Sequence, residues 1–139
     1  MGRVAGSTAL PAFLFMERNT VQRRVIRNVF LQAGRPLSPN EVVDIAGDQK
    51  RAVGIATVYR NIKLLVDQDW LTPVEIPGEP SRYEISGKVH HHHFICRECH
   101  RAFDIEGCPG DMAFLAPTGF EIEEHEVILY GRCAGCASS

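Results

Sequence analysis

The sequence contains no apolar run approaching the ~20 residues that a membrane-spanning helix requires. The apolar segment at residues 9–16 is too short, contains Pro11 and is followed by no convincing signal-peptide cleavage site. Gly2 does not mark a myristoylation site, because glycine occupies position 6, where that motif requires serine or threonine. We therefore predict a cytoplasmic protein without a membrane partner.

The sequence also contains no His-Glu-x-x-His motif, and no general base is evident in a glycine-rich catalytic loop. These absences argue against an enzyme. A zinc-dependent hydrolase is the alternative, because a His/Asp zinc site with an open position can activate water. The five cysteines fit metal sites in a reducing compartment better than a disulfide framework.

The net charge of −2 conceals an uneven distribution along the chain. Residues 1–66 contain ten Lys/Arg and four Asp/Glu, which gives a charge of +6. Residues 67–139 contain five Lys/Arg and thirteen Asp/Glu, which gives a charge of −8. This division predicts a polyanion-binding half joined to a cation-binding half.

Two Cys-x-x-Cys pairs dominate the second half, Cys96 with Cys99 and Cys133 with Cys136. Two thiolates three residues apart can share one metal ion from a tight turn, and two such pairs complete a tetrahedral S4 site. Buried or disulfide-bonded cysteines are the alternative interpretation. We predict a structural zinc site, which leaves Cys108 without an assigned role.

Four consecutive histidines, His90 to His93, lead directly into the first pair. On a β-strand their side chains would alternate, so His90 and His92 would face one side and His91 and His93 the other. One strand would then supply two metal sites. The alternatives are a solvated polar run or a tag remnant.

Three helices are predicted before residue 70. An apolar stripe at helical spacing begins near Thr20 and ends before Gly34. The segment 38–41, Ser-Pro-Asn-Glu, has the pattern of a capping box at the start of a second helix, which we expect to end at Gly47. The third helix begins near residue 55, and its buried stripe is expected at Ile55, Val58, Ile62 and Leu65.

The opposite face of the third helix presents small, aromatic and basic side chains. Such a face suits the major groove of DNA, where arginine pairs with guanine and tyrosine contacts methyl groups or phosphate. A solvated helix surface is the alternative. We predict DNA contacts from this face and a phosphate contact from Arg23 of the first helix. The predicted DNA-binding residues are Arg23, Thr57, Tyr59, Arg60 and Lys63.

Two strand-like runs, 70–76 and 82–85, flank a turn at 77–80 and predict a β-hairpin. Helices followed by such a hairpin predict a winged helix-turn-helix domain over residues 1–86, with residues 1–16 as an uncertain extension. Residues 87–139 are predicted to form a small α/β metal-binding domain that contains the four-cysteine zinc site and whose strands could pair with those of a second copy, and the fold class is α+β. Its strands are expected near 90–96, 101–105, 120–123 and 126–131.

Together these motifs resemble the ferric uptake regulator (Fur) family of metal-responsive bacterial repressors. The resemblance extends over residues 18–136 and implies a homodimer that binds double-stranded operator DNA. The matching segments are 20–23, 55–60, 82–84, 90–99, His125 and 129–136.

The resemblance also assigns ligands to three sites. It implies a structural zinc at the four paired cysteines. It implies a regulatory site formed by Glu84, His91, His93 and Asp104, and a further site formed by His90, His92, Asp111 and His125. We expect a metal-dependent repressor of metal homeostasis, with Zn²⁺ favoured at the regulatory site, Fe²⁺ next and Mn²⁺ possible.

One departure from the family affects the choice of metal. Many iron and peroxide sensors of the family place a histidine where this sequence has Pro36. A four-ligand site of nitrogen and oxygen suits zinc, whereas iron(II) and manganese usually take five or six ligands. The unbroken histidine run resembles the zinc uptake regulators, and Asp104 resembles the peroxide-sensing branch. A peroxide sensor and a zinc-ribbon interaction module are the remaining alternatives.

Overall fold

A computed structural model describes residues 12–138, with side chains from residue 19 onward. The described chain begins with three helices, α1 (Ala12–Ala33), α2 (Pro39–Asp48) and α3 (Ile55–Asp67). The first helix therefore starts eight residues before the predicted Thr20. Most of the extension predicted at residues 1–16 lies outside the described residues, and its last five residues belong to α1. None of the helices described is both long and apolar enough to cross a membrane.

The capping box predicted at the start of α2 is present. The Glu41 backbone amide donates to Ser38 Oγ at 3.2 Å, and the Ser38 amide donates to Glu41 Oε1 at 3.1 Å. Two of the amides without intrahelical partners are thereby satisfied. The helix continues one residue past the predicted end at Gly47.

The three helices enclose one hydrophobic core. From α1 the buried side chains include Ile26, Val29 and Phe30, and from α3 they are Val58, Asn61, Ile62 and Leu65. The prediction that Ile55 is buried is wrong, since its side chain is 42% exposed. Ile55 lies in the first turn of α3, at the edge of the core, and the buried face begins one turn later.

The predicted hairpin follows α3 as strands β1 (Leu71–Val74) and β2 (Arg82–Ile85), which pair antiparallel. The second sheet contains β3 (His92–Cys96), β4 (Ala102–Ile105) and β5 (Ile128–Gly131). Its strand order is β4-β3-β5, with β3 antiparallel to β4 and parallel to β5. A 3-10 turn at Ala113–Leu115 and a short helix, α4 (Ala134–Ala137), complete the chain.

The strand predicted at 120–123 is absent from the described fold. Within the chain both edges of β3 are already paired, and this segment joins neither β4 nor β5. Its apolar side chains are also not buried, since Phe120 is 69% exposed and Ile122 is 41% exposed.

A second small core connects the hairpin to the three-stranded sheet. Val74 and Ile76, at and beyond the end of β1, pack with Ile95 of β3 and Ala102 of β4. This contact brings β2 alongside the start of β3, and it positions the side chains described next.

Candidate metal centres and nucleic-acid interface

The structure gathers metal-ligating side chains into three clusters. In each cluster the potential ligand atoms all lie within 4.8 Å of one another. The first contains Cys96, Cys99, Cys133 and Cys136; the second contains Glu84, His91, His93 and Asp104; the third contains His90, His92, Cys108 and His125.

The cysteine cluster joins the turn after β3 to the start of α4. Because β3 and β5 are parallel neighbours, with Cys96 opposite Gly131, their carboxyl ends bring the two Cys-x-x-Cys pairs together. The Sγ atoms of Cys99 and Cys133 are 3.8 Å apart. In a tetrahedral zinc site with Zn–S bonds of ~2.3 Å, two sulfurs are about 3.8 Å apart. The residues present therefore fit a zinc ion.

Backbone amides prepare Cys96 to act as a thiolate. The amides of Cys99 and Cys133 donate to its Sγ at 3.4 and 3.3 Å. The hydrogen bond from Cys99, aided by that from Cys133, outweighs burial and lowers the pKa of Cys96 to about 6. The adjacent Cys133 thiol and burial instead raise the pKa of Cys136. Four clustered sulfurs, of which Cys96 ionises most readily, are a ligand set for a cation.

The second cluster, which we call the Glu84 cluster, connects the hairpin to the three-stranded sheet. Glu84 lies on β2, His91 directly precedes β3 and His93 lies within it. Asp104 lies on β4 and is paired with His93 in the sheet. The Glu84 carboxylate is 2.9 Å from His91 Nε2 and 3.2 Å from His93 Nε2. Oδ1 of Asp104 is 3.6 Å from His93 Nε2 and 3.9 Å from His91 Nε2.

The tautomer of His91 suits metal binding. Its Nδ1 is 2.8 Å from the Val89 carbonyl, which can only accept a hydrogen bond, so Nδ1 carries the proton. The contact between Nε2 and the Glu84 carboxylate is a hydrogen bond donated by the protonated ring, and loss of that Nε2 proton exposes a lone pair to a metal ion. Burial alone would lower the pKa of His91, but the contacts with Val89, Glu84 and Asp104 raise it above 6.5.

The Glu84 carboxylate stays ionised. Its side chain is only 6% exposed, and this burial alone would raise its pKa. Hydrogen bonds from His93 and His91, with the nearby charges of His93 and Lys88, lower the pKa to about 2 instead. A buried carboxylate held as an anion is a strong ligand for a hard or borderline cation.

A lysine ammonium occupies the mouth of the Glu84 cluster. Lys88 Nζ is 2.5 Å from Asp104 Oδ2 and 3.4 Å from Glu84 Oε1. The other carboxylate oxygen, Asp104 Oδ1, is buried and has no hydrogen-bond partner among the described residues. The cluster therefore presents two anionic ligands and two imidazoles, and it fits a divalent cation that displaces Lys88.

The third cluster differs from the expected ligand set. His90, His92 and His125 come together, but Asp111 does not join them, and its Oδ1 accepts a hydrogen bond from the Ala113 amide instead. Cys108 takes the place expected for Asp111. Burial, aided by the charge of His90, lowers the pKa of His92.

The predicted DNA-facing side chains lie on one surface of α3. Tyr59, Arg60 and Lys63 are exposed, and Thr57 is half-buried and accepts a hydrogen bond from Arg60 Nη2 at 3.1 Å. Arg23 of α1 reaches the same helix, where its Nε donates to Asn61 Oδ1 at 3.4 Å. This contact joins Arg23 to the buried side of α3, whereas Tyr59, Arg60 and Lys63 lie on its exposed side.

The chain combines three helices and a β-hairpin with an adjoining sheet that carries a four-cysteine cluster. This combination defines a winged-helix protein of the metal-binding class. The family model of the ferric uptake regulator family matches residues 16–130. The chain therefore belongs to the ferric uptake regulator family. This membership confirms the resemblance and the predicted α+β fold.

Individual ferric uptake regulation proteins also match the chain. The chain is 36% identical over 87 residues to the ferric uptake regulation protein of Campylobacter jejuni, covering 60% of this chain and 55% of that protein. The match thus spans little more than half of that relative's length. The Staphylococcus aureus ferric uptake regulation protein is 27% identical over 118 residues, covering 84% and 86%.

A solved structure also resembles the chain. The Vibrio cholerae ferric uptake regulator superposes with a TM-score of 0.64 at 26% identity, covering 81% of this chain and 88% of that one. These relatives are regulators, and the prediction that the chain is not an enzyme is confirmed by its membership of their family.

Sequence reasoning missed two functional candidates. Cys108 belongs to no Cys-x-x-Cys pair, and the signal for it in the sequence is that it is a fifth, unpaired cysteine downstream of the four consecutive histidines. Lys88 was overlooked, because its role depends on Glu84 and Asp104 approaching it in space. No spacing in the sequence indicates that approach.

Proposed function

We propose that this protein is a metal-dependent transcriptional repressor that binds double-stranded operator DNA as a homodimer and controls metal homeostasis. The observation that carries the proposal is the Glu84 cluster. Its ligands come from both sides of the link between the hairpin and the three-stranded sheet. Metal bound there would hold the two parts of the chain at one angle.

The proposed domain boundary lies in this link. Residues 1–86 form the DNA-binding domain and residues 87–139 the metal-binding dimerisation domain. Gly87 has a φ of +85°, a backbone conformation that favours glycine, and the segment between β2 and β3 has no regular structure. A short link of this kind can change its angle when metal binds or leaves.

The angle matters because two reading helices must fit one DNA duplex. In a dimer the α3 helices would enter major-groove half-sites about one helical turn, roughly 34–36 Å, or a multiple of it apart. In this proposal Arg60 reads a base and Arg23 contacts phosphate. Metal binding then raises the affinity for DNA, because both ligands favour the same conformation.

A homodimer is supported by the outer surface of the three-stranded sheet. The edge strand β5 exposes 49% of Leu129 and 41% of Tyr130. Phe120, just beyond the 3-10 turn, is 69% exposed. An edge strand that carries exposed apolar side chains is a surface that pairs with another chain. We propose a second copy of this protein as that chain.

We propose two roles for metal in this function. Zinc at the four paired cysteines stabilises the fold, because S4 ligation contributes folding energy directly. The Glu84 cluster takes the sensed metal, with Zn²⁺ favoured over Fe²⁺ and then Mn²⁺. Two imidazoles and two carboxylates support this order, since four ligands suit tetrahedral zinc better than the higher coordination of iron(II) and manganese.

The decisive experiment is operator binding by the His91→Ala, His93→Ala double variant. Operator fragments selected from random DNA with the metal-loaded wild type serve as the probe. We expect the variant to remain a folded dimer with its S4 zinc but to lose metal-stimulated DNA binding, because the Glu84 cluster keeps only two carboxylates. The matched control is His90→Ala, His125→Ala, which removes two imidazoles from the third cluster.

The control should retain metal-stimulated binding. Metal-dependent operator binding that persists in the His91, His93 variant, or that disappears only in the control, would contradict the assignment of the sensing site. Failure of the wild type to select any DNA sequence would contradict the proposed function as a whole.

A further inference from the structure

The third cluster contains a thiol among three imidazoles. Cys108 Sγ lies 3.0 Å from His125 Nε2 and 3.4 Å from His90 Nε2, and these two nitrogens are 3.2 Å apart. The three potential ligand atoms therefore form a compact triangle. His92 completes the group, with all ligand atoms within 4.8 Å of one another.

The distances match a tetrahedral metal site. With Zn–N bonds of ~2.05 Å and Zn–S bonds of ~2.3 Å, tetrahedral angles place two nitrogens about 3.3 Å apart and a nitrogen and a sulfur about 3.6 Å apart. The measured separations lie within about 0.6 Å of these values, so a cation needs only small side-chain movements to enter.

The loop around Cys108 has features of a built site. Gly107 and Gly110 have φ values of +149° and +110°, which side-chain-bearing residues rarely adopt, and they turn the chain on either side of Cys108. The Gly110 amide donates to Cys108 Sγ at 3.5 Å. The Gly110 carbonyl oxygen is also 3.5 Å from Cys108 Sγ, so the loop folds back around the sulfur.

An unpartnered buried nitrogen points to the same conclusion. His92 is 2% exposed, and its Nδ1 accepts a hydrogen bond from the Val127 amide at 3.1 Å. Its Nε2 is buried and has no hydrogen-bond partner among the described residues. A buried polar atom without a partner is unfavourable, and ligation through Nε2 satisfies it at the expense of the hydrogen bond from Val127.

We propose that Cys108 is the thiolate ligand of a third metal site, completed by His90, His92 and His125, which selects Zn²⁺ over the harder Mn²⁺. Thiolate and imidazole ligands favour borderline and soft cations, whereas carboxylate and water ligands suit manganese. This inference deepens the proposed function, because it rests on a metal-responsive chain and assigns the fourth ligand and metal class of one cluster.

The binding step releases one proton from the thiol. Cys108–SH exchanges its proton for the cation, the sulfur lone pair forms the bond, and the proton passes to solvent. Metal binding by His92 requires a change of tautomer. The Val127 hydrogen bond places its ring proton on Nε2, so ligation through Nε2 moves that proton to Nδ1 and breaks the bond to Val127. His90, Cys108 and His125 are therefore the first contacts.

The test uses full-length protein that retains one zinc per chain in the cysteine cluster, with the Glu84 cluster disabled by His91→Ala and His93→Ala. Co²⁺ is the spectroscopic probe, because sulfur-to-cobalt charge-transfer absorption reports a thiolate ligand. We expect one Co²⁺ per chain with this absorption, displaced by Zn²⁺ but not by Mn²⁺. Measured zinc content verifies that the cysteine cluster has not exchanged its metal.

Adding Cys108→Ser should abolish the charge-transfer absorption and weaken Zn²⁺ binding at this site at least about tenfold, the lower end of what even indirect ligand partners contribute. The matched control is Asp111→Asn, in the same loop but outside the cluster, and it should leave both readouts unchanged. Both variants change exposed residues and preserve side-chain size.

Three results would overturn the inference: Co²⁺ binding without thiolate absorption, undiminished Zn²⁺ affinity in Cys108→Ser, or loss of the site in Asp111→Asn. None of these readouts requires DNA. Failure of the proposed repressor function, which appears as absent operator binding, is therefore distinguishable from failure of this metal site.

Discussion

Lys88 competes with metal for the Glu84 cluster, and we predict that Lys88→Met tightens metal binding there. The Lys88 ammonium contacts both carboxylates of the cluster, at 2.5 Å from Asp104 Oδ2 and 3.4 Å from Glu84 Oε1. A divalent cation needs the same oxygens, so it must detach the ammonium first. Methionine keeps an unbranched apolar stem but carries no charge.

The size of the effect follows from the exposure of these groups. Lys88 is 28% exposed, Asp104 19% and Glu84 6%, so both ion pairs are partly screened by solvent. Pairs of this kind contribute up to ~1 kcal/mol each. In the wild type, metal binding must break both ion pairs, which makes it less favourable by ~1–2 kcal/mol. The Lys88→Met variant has no such pairs to break, so its Kd should be lower by roughly 5–30-fold.

Competition with a chromophoric chelator measures this change. The protein carries its S4 zinc, and Cys108→Ser removes the thiolate from the third cluster in every sample. Zn²⁺ is then titrated into the Lys88→Met variant and its parent. Lys63→Met, on the exposed face of α3, is the matched control, because it removes one positive charge away from the cluster.

A Lys88→Met protein that binds Zn²⁺ no more tightly than its parent would refute the competition. An equal gain in Lys63→Met would attribute the effect to net charge and would refute it as well. Tighter Zn²⁺ binding in Lys88→Met alone would establish that this lysine sets the metal concentration at which the Glu84 cluster is filled.

Three further predictions concern the zinc, the DNA contacts and pH. Cys99→Ser should lose about one zinc per chain by metal analysis and should lose the dimer by sedimentation; a fully loaded, dimeric variant would contradict the S4 assignment. Arg60→Ala should weaken operator binding by ~1–3 kcal/mol and relax specificity at one base pair, whereas Arg23→Ala should weaken all sequences alike and reduce the salt dependence. Metal binding at the Glu84 cluster should weaken as pH falls through the pKa of His91, which lies above 6.5, because the protonated ring cannot bind metal; a constant affinity between pH 8 and 6 would exclude that titration.

Local features of the fold were predictable from the sequence. The capping box at Ser38 and Glu41 depends on residues three apart, and the structure forms it. The helical stripe at Val58, Ile62 and Leu65 depends on a fixed period and is buried as expected. The exception is Ile55, whose burial depends on how far the core extends along α3. Periodicity carries no information about that extent.

The pairing of histidines also follows from local geometry. Alternation along an extended chain separates His90 and His92 from His91 and His93, and the structure places these pairs in different clusters. Likewise, Cys-x-x-Cys spacing alone indicates two ligand pairs. The sequence could therefore define which side chains act together wherever they are close neighbours along the chain.

Tertiary structure alone decided which distant residues complete each cluster. Parallel pairing of β3 with β5 brings Cys133 to Cys99, and the loop after β4 brings Cys108, rather than Asp111, to His125. Lys88 acquires its role only when Glu84 and Asp104 meet around it. The physical reason is that ligand contacts are short-range and specific to position. Sequence patterns report the period of a helix or strand, but strand pairing and loop paths determine which side chains lie within ligand distance.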